Sequence, residues 1–550
     1  MPETPHLSPL PSREGGGGSM RSRRLRGVPQ TSEAARRRDH VSKLLVAIWV
    51  LAVAARLVLI NQPYVDHWSW RQSDVAAIAR NFHEGGFRFA YPQIDWAGDA
   101  TGYVGTEFPI LPFVAAICYK FAGIHEWIGR SQAVIFFAVS LPFFFLLVRE
   151  IFDNTAAVWA TFFFSFAPLN VFAGRSFMPD VPSLGLAIIG LYFCLRWIYD
   201  RESVQFFIAA IAISLSLLIK ITSIVIAAPL LYLAVAGIGD PGFTRDLRGV
   251  GRDHRSRLQL LLFAAIALLP SAIWYWHAYQ IAERFYPHHL FGAGGIRIES
   301  FPWYWGIARQ TATSGLTPVL VIMALIGLFV PPRSKPARSA SDAGGALQAE
   351  YSLFFHWWLA GMILFIIVVG YGNRHPWYQL PLVPIAAALA GVGCTFFRSK
   401  ISGRSAAIPL SILLASSFAI LSYLYVRPLY ESSAGQLRDA GLELNGVTAP
   451  GALIVAVDTG DPTIFCYAQR KGWHFLEKDG IYAGVPSDSQ EATANLEELH
   501  RRGATHVVFT ANTFWWLDYY PEFAQHLAAN AALMEATPEF KIYRLTATAR

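Results

Sequence analysis

The sequence predicts an all-α polytopic membrane domain followed by a small C-terminal α/β soluble domain. Three observations carry this. Charged residues make up only 15% of the 550-residue chain and hydrophobic residues 54%, whereas a soluble protein carries about a quarter charged residues. Apolar runs long enough to cross a bilayer as helices recur between residues 43 and 426. From Arg427 onward the composition becomes that of a soluble domain.

The apolar segments are 43–60, 127–148, 155–172, 181–199, 204–219, 220–237, 258–279, 314–332, 351–371, 376–396 and 406–426. They predict about eleven to thirteen transmembrane helices. Residues 1–42 are rich in Pro, Gly, Ser and Arg and read as a disordered, basic cytoplasmic tail. Further basic residues cluster in 238–257 (Arg245, Arg248, Arg252, Arg255, Arg257), in 333–338 (Arg333, Lys335, Arg338) and in 398–404 (Arg398, Lys400, Arg404). Basic loops face the cytoplasm, so the run 109–124 must not change sides: it is re-entrant or interfacial, or a further crossing accompanies it. The same rule puts 61–109, 174–180, Lys220, 280–313, 373–378 and the C-terminus on the outer side. The expected location is the cell membrane, multi-pass, with the N-terminus cytoplasmic and the C-terminal domain extracytoplasmic. The net charge of +7 reports this topology and implies no nucleic-acid partner.

The domains are then a tail (1–42), a transmembrane catalytic domain (43–426) with a large first outer loop (61–109), and an α/β domain (427–550). In the last, GALIVAVD (451–458), THVVFTA (505–511) and EFKIYRL (539–545) read as strands, and ANLEELHRRG (494–503) as a helix. It is expected to be accessory to the chemistry. Its Trp473-His474 and Asp458/Asp461 clusters face either solvent or the acceptor. The four cysteines show neither a metal-site spacing nor a disulfide framework, and no cofactor is expected.

The first outer loop holds six carboxylates (Asp66, Asp74, Glu84, Asp95, Asp99, Glu107) and three arginines (Arg71, Arg80, Arg88). Ser69 and Gln72 have the spacing of a capping box. Val75, Ile78, Ala79 and Phe82 make one apolar face, so a helix over 70–82 is expected on the membrane surface, ended by Gly85-Gly86. Arg71 and Asp74 are three apart and can pair. Asp66 has no cation nearby in sequence. It is the expected general base, with Asp74 as the second candidate and Glu107 as a further acid. The alternative is that these acids are solvated loop residues. Arg175 and Asp180 flank a Met-Pro, Lys220 interrupts a long apolar stretch, and Arg374, His375 and Tyr378 lie at a helix entrance. Ionisable residues at membrane depth usually line a functional cavity. With Arg71, these residues are expected to bind an anionic, phosphorylated lipid.

The order of these elements resembles the GT-C superfamily, in particular the branch of the protein O-mannosyltransferases and the lipid A aminoarabinose transferases. The resemblance spans residues 43–396. EFPI (107–110) resembles that branch's Glu-Lys-Pro-Pro, matching at Glu107 and Pro109. RSFMPD (175–180) resembles its loop with a functional Asp, which falls on Asp180. LIKIT (218–222) resembles its Leu-Thr-Lys-Gly element, and YQLPLVP (378–384) its Tyr-x-Leu-Pro-x-x-Pro helix, falling on Lys220 and Tyr378. DHWSWRQSD (66–74) resembles a bacterial and archaeal subgroup with D-x-H-x-W-R-Q. Two departures stand out. The branch's Asp-Glu pair falls near Arg71-Gln72, and its Glu-Lys-Pro-Pro lysine is Phe108 here. The resemblance therefore points to the start of the first outer loop without choosing between Asp66 and Asp74.

The resemblance implies an inverting glycosyltransferase. It would move a sugar from a polyprenyl-phosphate donor to a hydroxyl of a protein, glycolipid or cell-envelope polysaccharide on the outer face. The alternative is a polytopic transporter or lipid-carrier flippase without bond chemistry. The absence of an internal repeat and the gathering of polar groups on one face weigh against it. A block-transferring oligosaccharyltransferase would need an acidic metal-binding cluster, and the sequence has no clear D-x-D.

Overall fold

The computed structural model describes residues 30–239, 254–291, 295–331, 351–401 and 403–546. The chain divides after Leu44, and residues 45–550 form one unit. The basic segment 333–338 and most of 238–257 lie outside the described residues. The first helix, α1 (Gln30–Leu57), begins upstream of the expected boundary at 43.

The membrane domain continues with α2 (Ser69–Glu84), α3 (Ile110–Ala122), α4 (Glu126–Ile151), α5 (Asn154–Phe166), α6 (Pro168–Ala173), α7 (Asp180–Asp200), α8 (Ser203–Ile219) and α9 (Ala227–Gly239). Then come α10 (His254–Arg284), α11 (Phe301–Gln310), α12 (Pro318–Leu328), α13 (Phe354–Val368), α14 (Leu382–Ser399) and α15 (Arg404–Val426). Among the described residues six helices are long and apolar enough to cross a membrane, or seven if the pair α11–α12, bent by 109°, is one span. Four shorter apolar helices accompany them. With the six long helices and the bent pair they make eleven apolar segments, α3 among them. The chain is thus a polytopic membrane protein. The bend before α12 follows from its residues: Thr317 has φ +80° and Pro318 opens the next helix.

α3 has 13 residues, a length of about 20 Å against a hydrocarbon core of about 30 Å. It buries Leu111, Ala115, Ala116 and Tyr119 and exposes Ile117 and Phe121. It is shorter than that core is thick. Proline breaks shape the bundle elsewhere. Pro168 stops α5, because the residue before a proline avoids helical backbone, and Ala167 is extended. The Ser165 carbonyl freed there is met by Arg56, which reaches from α1 to Ser165 O (3.1 Å) and also to Asn170 O (3.0 Å) while lying 3.3 Å from the Phe137 ring centroid. An unmet carbonyl in the apolar core would cost several kcal/mol.

The C-terminal domain is built on β1 (Leu453–Val457), β2 (Lys471–His474), β5 (Ala504–Thr510), β6 (Ala531–Ala536) and β7 (Phe540–Leu545), in the order β2-β1-β5-β7-β6. β1 is parallel to both β2 and β5, and β7 runs antiparallel to β5 and β6. β1 and β5 are almost wholly buried, as expected for parallel strands covered on both faces. A small ribbon of β3 (Glu477–Lys478) and β4 (Ile481–Tyr482) follows β2.

This domain is seated on the first outer loop by main-chain bonds. Gly98 N–H donates to Gly472 O (2.7 Å), and Gly472 N–H donates to Asp95 O (2.9 Å). Gly98 has φ +56°, and a Cβ there would lie 1.8 Å from Trp473 Cε2. The Trp473 ring occupies the space a side chain would need. Arg502 adds an ion pair to Asp99 at 2.9 Å.

Candidate active site

The expected loop helix exists as α2, but its surroundings differ from the expectation. Val75, Ala76, Ile78, Ala79 and Phe82 are buried, and so are Arg71, Gln72, Asp74 and Arg80. The helix does not lie on the membrane surface. It is packed between α3 and the helix Thr463–Ala468 of the C-terminal domain. No capping box forms at its start: Trp68 is the cap residue without a side-chain bond. Ser69 Oγ instead donates to Asp461 Oδ2 (2.7 Å), and Gln72 Nε2 to Asp66 Oδ1 (2.7 Å).

Asp66 is the main correction. It is fully buried. Its Oδ2 accepts from Arg130 Nη2 at 2.9 Å and from Arg175 Nη1 at 3.4 Å, and its Oδ1 from the Trp68 amide. Two cations far away in sequence thus pin a carboxylate that has no cation near it in sequence, and enclose it fully. Arg175 is consumed in the same cluster and also donates to Leu59 O (3.0 Å), which removes it from the set expected to meet substrate. Arg130 was missed. Its signal was an arginine inside the apolar run 127–148, which usually marks a buried partner.

Asp74 does not pair with Arg71 as its spacing suggested. Arg71 Nη2 reaches Glu107 Oε1 at 2.8 Å, while Asp74 Oδ1 accepts from Trp96 Nε1 at 2.9 Å. Burial pushes the Asp74 carboxyl up to about 6, against the Trp96 bond and the Arg71 charge that pull it down. A carboxylate in that range is poised to take a proton near neutral pH. Glu107 is the opposite case. Burial acts to raise it, but Arg71 and Lys220 outweigh burial and hold it down at about 2. Glu107 is therefore a permanent anion. It orients Arg71 and, at 4.0 Å, Lys220. Lys220 also pairs with Asp180 at 3.0 Å and sits 4.9 Å from the Tyr378 ring centroid. Only 6% exposed, it is buried between acids and does not snorkel to an interface. The break between α8 and the following turn places it there, since Lys220 itself is extended.

A cavity of about 500 Å³ opens between the loop 61–109, the α13–α14 connection and the C-terminal domain. Asp74, Arg71, Trp70 and Trp96 line one side. Arg374, His375, Trp377 and Tyr378 line another, and Gly460, His474 and Tyr482 a third. Arg374 lies 4.3 Å from the Tyr371 ring centroid. Burial, reinforced by Arg374, pushes His375 down to about 4, so its ring is neutral at pH 7. His289, also at the cavity, is pushed to about 4 by burial and by Arg71. Of the ten residues singled out in the sequence, five line this cavity: Arg71, Asp74, Arg374, His375 and Tyr378. Glu107, Lys220 and Asp180 form the charged layer beside Arg71 and Tyr378. Asp66 and Arg175 lie apart. Among the described residues no group of three or more His, Cys, Asp or Glu is placed to hold a metal ion.

Comparison with known proteins agrees with this architecture. Residues 106–276 match the family model described as dolichyl-phosphate-mannose-protein mannosyltransferase. No curated protein matches the chain. Among solved structures, ArnT from Cupriavidus metallidurans bound to undecaprenyl phosphate aligns with a TM-score of 0.60 and 14% identity, covering 92% of this chain and 98% of that one. The archaeal oligosaccharyltransferase AglB from Archaeoglobus fulgidus, in complex with an inhibitory peptide and a dolichol-phosphate, aligns with a TM-score of 0.53 and 13% identity over 93% and 75%. The arabinofuranosyltransferase AftD from Mycobacteria aligns with a TM-score of 0.51 and 14% identity over 92% and 42%. The chain has the GT-C fold of these membrane proteins and resembles the branch of the protein O-mannosyltransferases and ArnT.

Proposed function

We propose that the chain is a membrane glycosyltransferase that moves a sugar from a polyprenyl-phosphate donor to an acceptor hydroxyl on the extracytoplasmic face. The observation that carries this is Asp74: a carboxylate with its pKa near 6 in an aromatic cavity that Arg71 and Arg374 also line. The acceptor oxygen attacks the anomeric carbon and its proton passes to Asp74. The bond from that carbon to the phosphate oxygen breaks, and the lipid phosphate leaves with the electron pair. A single displacement inverts the anomeric centre. Arg71 and Arg374 offer fixed positive charge for the departing phosphate, with His375 and Tyr378 as neutral hydrogen-bond partners. Lys220, locked to Asp180 and Glu107, adds charge behind Tyr378. This reading assigns the base to Asp74 in place of Asp66.

The ArnT and AglB structures, with bound undecaprenyl phosphate and dolichol-phosphate, support a lipid-phosphate donor here. The test is to offer reconstituted protein a panel of radiolabelled polyprenyl-phosphate sugars. One of them is expected to lose its sugar to an acceptor, and Asp74→Asn to slow that transfer ~10²–10⁴-fold. Passage of intact lipid across the bilayer without cleavage would refute the reading.

A further inference from the structure

The C-terminal domain contributes more than a wall. β1 and β2 are parallel neighbours, so their carboxyl ends lie side by side, with Asp458 just past one and His474 ending the other. The chain leaves β1 through a tight turn, Thr459 and Gly460 having φ +59° and +83°. That turn aims the Gly460 amide at Asp458 Oδ1 (3.0 Å). Asp458 and His474 are both buried. His474 Nδ1 sits 2.9 Å from Asp458 Oδ1 and 2.8 Å from Oδ2. A carboxylate can only accept, so Nδ1 carries the proton and donates.

The ring is held between Trp96 and Phe465, at centroid distances of 5.4 Å and 5.3 Å. Its other nitrogen, Nε2, makes no hydrogen bond among the described residues, and the ring lines the same cavity as Asp74. In open α/β sheets the crevice beyond the carboxyl ends of the strands is where ligands bind. Here that crevice opens onto the proposed transfer site.

We propose that this domain reads the acceptor: Asp458 orients His474, and His474 Nε2 hydrogen-bonds an acceptor hydroxyl next to the one Asp74 deprotonates. Two groups that both lie against Trp96, one from α2 and one from β2, then hold two hydroxyls of one molecule, which points to a sugar acceptor. The Trp96 and Tyr482 rings on either side offer flat faces to its C–H surface. The inference rests on the transfer reading above. Asp458 acts through His474 and is a positioning residue.

The test exploits the shapes of two amides. Asn reproduces the Nδ1 side of a histidine, and Gln its Nε2 side. The full chain is reconstituted with a polyprenyl-phosphate sugar that the wild type turns over. The acceptor probes are a series of octyl glycosides and a threonine-containing peptide. His474→Asn keeps the partner of Asp458 and is expected to raise the KM for the octyl glycoside about tenfold, the weight of one hydrogen bond to substrate. Its affinity for undecaprenyl phosphate stays at the wild-type value. His474→Gln is expected to restore most of the acceptor affinity, and Asp458→Asn to raise acceptor KM more than it lowers kcat. A residue that merely holds the fold gives the reverse order, with Asn tolerated and Gln disruptive, and that order overturns the proposal. Wild-type transfer to the peptide alone also overturns it. Failure of the wild type to cleave any donor refutes the transfer reading itself, and the proposal with it.

Discussion

The Trp96 indole sets the pH at which the site works. Trp96 Nε1 donates to Asp74 Oδ1 at 2.9 Å, and this bond stabilises the ionised carboxylate more than the neutral acid. With it in place, burial still lifts Asp74 to about 6, while Arg71 and His474 pull it down and Asp461 pushes it up. Trp96→Phe keeps an aromatic ring against His289 and His474 and removes the donor. A hydrogen bond to a charged group contributes about 1.5–3 kcal/mol, and one pKa unit corresponds to about 1.36 kcal/mol. The Asp74 pKa therefore rises by about one to two. A general base must be deprotonated, so activity is lost as pH falls through its pKa. The acid limb of kcat/KM is expected near pH 6 in the wild type and at about pH 7–8 in Trp96→Phe. At pH 7 the ionised fraction drops from about nine tenths to between about a half and a tenth. The assay is the pH profile of sugar transfer from pH 5 to 9. An acid limb that stays at pH 6 in the variant refutes the assignment of Asp74 as base.

Three further predictions concern the surroundings of the cavity. Asp66→Asn leaves Arg130 and Arg175 without their anion and is expected to cost ~3–5 kcal/mol of stability. Thermal unfolding in detergent measures this, and a variant of full stability that lacks transfer returns Asp66 to the role of base. Arg374→Ala is expected to weaken undecaprenyl phosphate binding ~10–100-fold, the worth of a charge-assisted hydrogen bond; unchanged affinity in a lipid titration moves the phosphate elsewhere. Gly98→Ala puts a methyl group into the Trp473 ring at a positive φ, so the C-terminal domain is expected to lose its seat. Limited proteolysis then cuts faster between residues 427 and 434, and equal cutting in both proteins contradicts this.

Much of the fold was legible because membranes impose long-wavelength patterns. Apolar runs, basic clusters and the composition break at Arg427 each survive in the sequence without reference to partners. Strands β1, β5 and β7 were also visible, β1 as a buried apolar run and β7 as a strand that alternates polar with apolar residues. β6 was not, because AALMEA is made of helix formers and is held extended by pairing with β7. The site was legible only by neighbourhood. The first loop and the NRHPWY turn do meet at one cavity, yet the roles within it depend on pairings far along the chain. Asp66 looked free because its cations lie 64 and 109 residues away. Asp74 looked paired because Arg71 is near in sequence, but Glu107 draws Arg71 off. Spacing on a helix says which residues can meet, and packing decides which do.

The seat of the C-terminal domain has a consequence for the order of events during synthesis. Asp74 and Arg71 leave the ribosome early, whereas His474 and Tyr482, which close the same cavity, come roughly 400 residues later, about 20–80 s at ordinary translation rates. Through that interval the membrane helices can insert, yet the pocket lacks a side and Asp74 stands open to water. A carboxylate in water has an ordinary pKa and no desolvated partner. On the proposed reading, a half-made chain is expected to leave lipid-linked sugar uncleaved, and one truncated before β1 to stay inactive. Competence arrives in one step, when Gly98 and Gly472 exchange their backbone contact and the last wall is set.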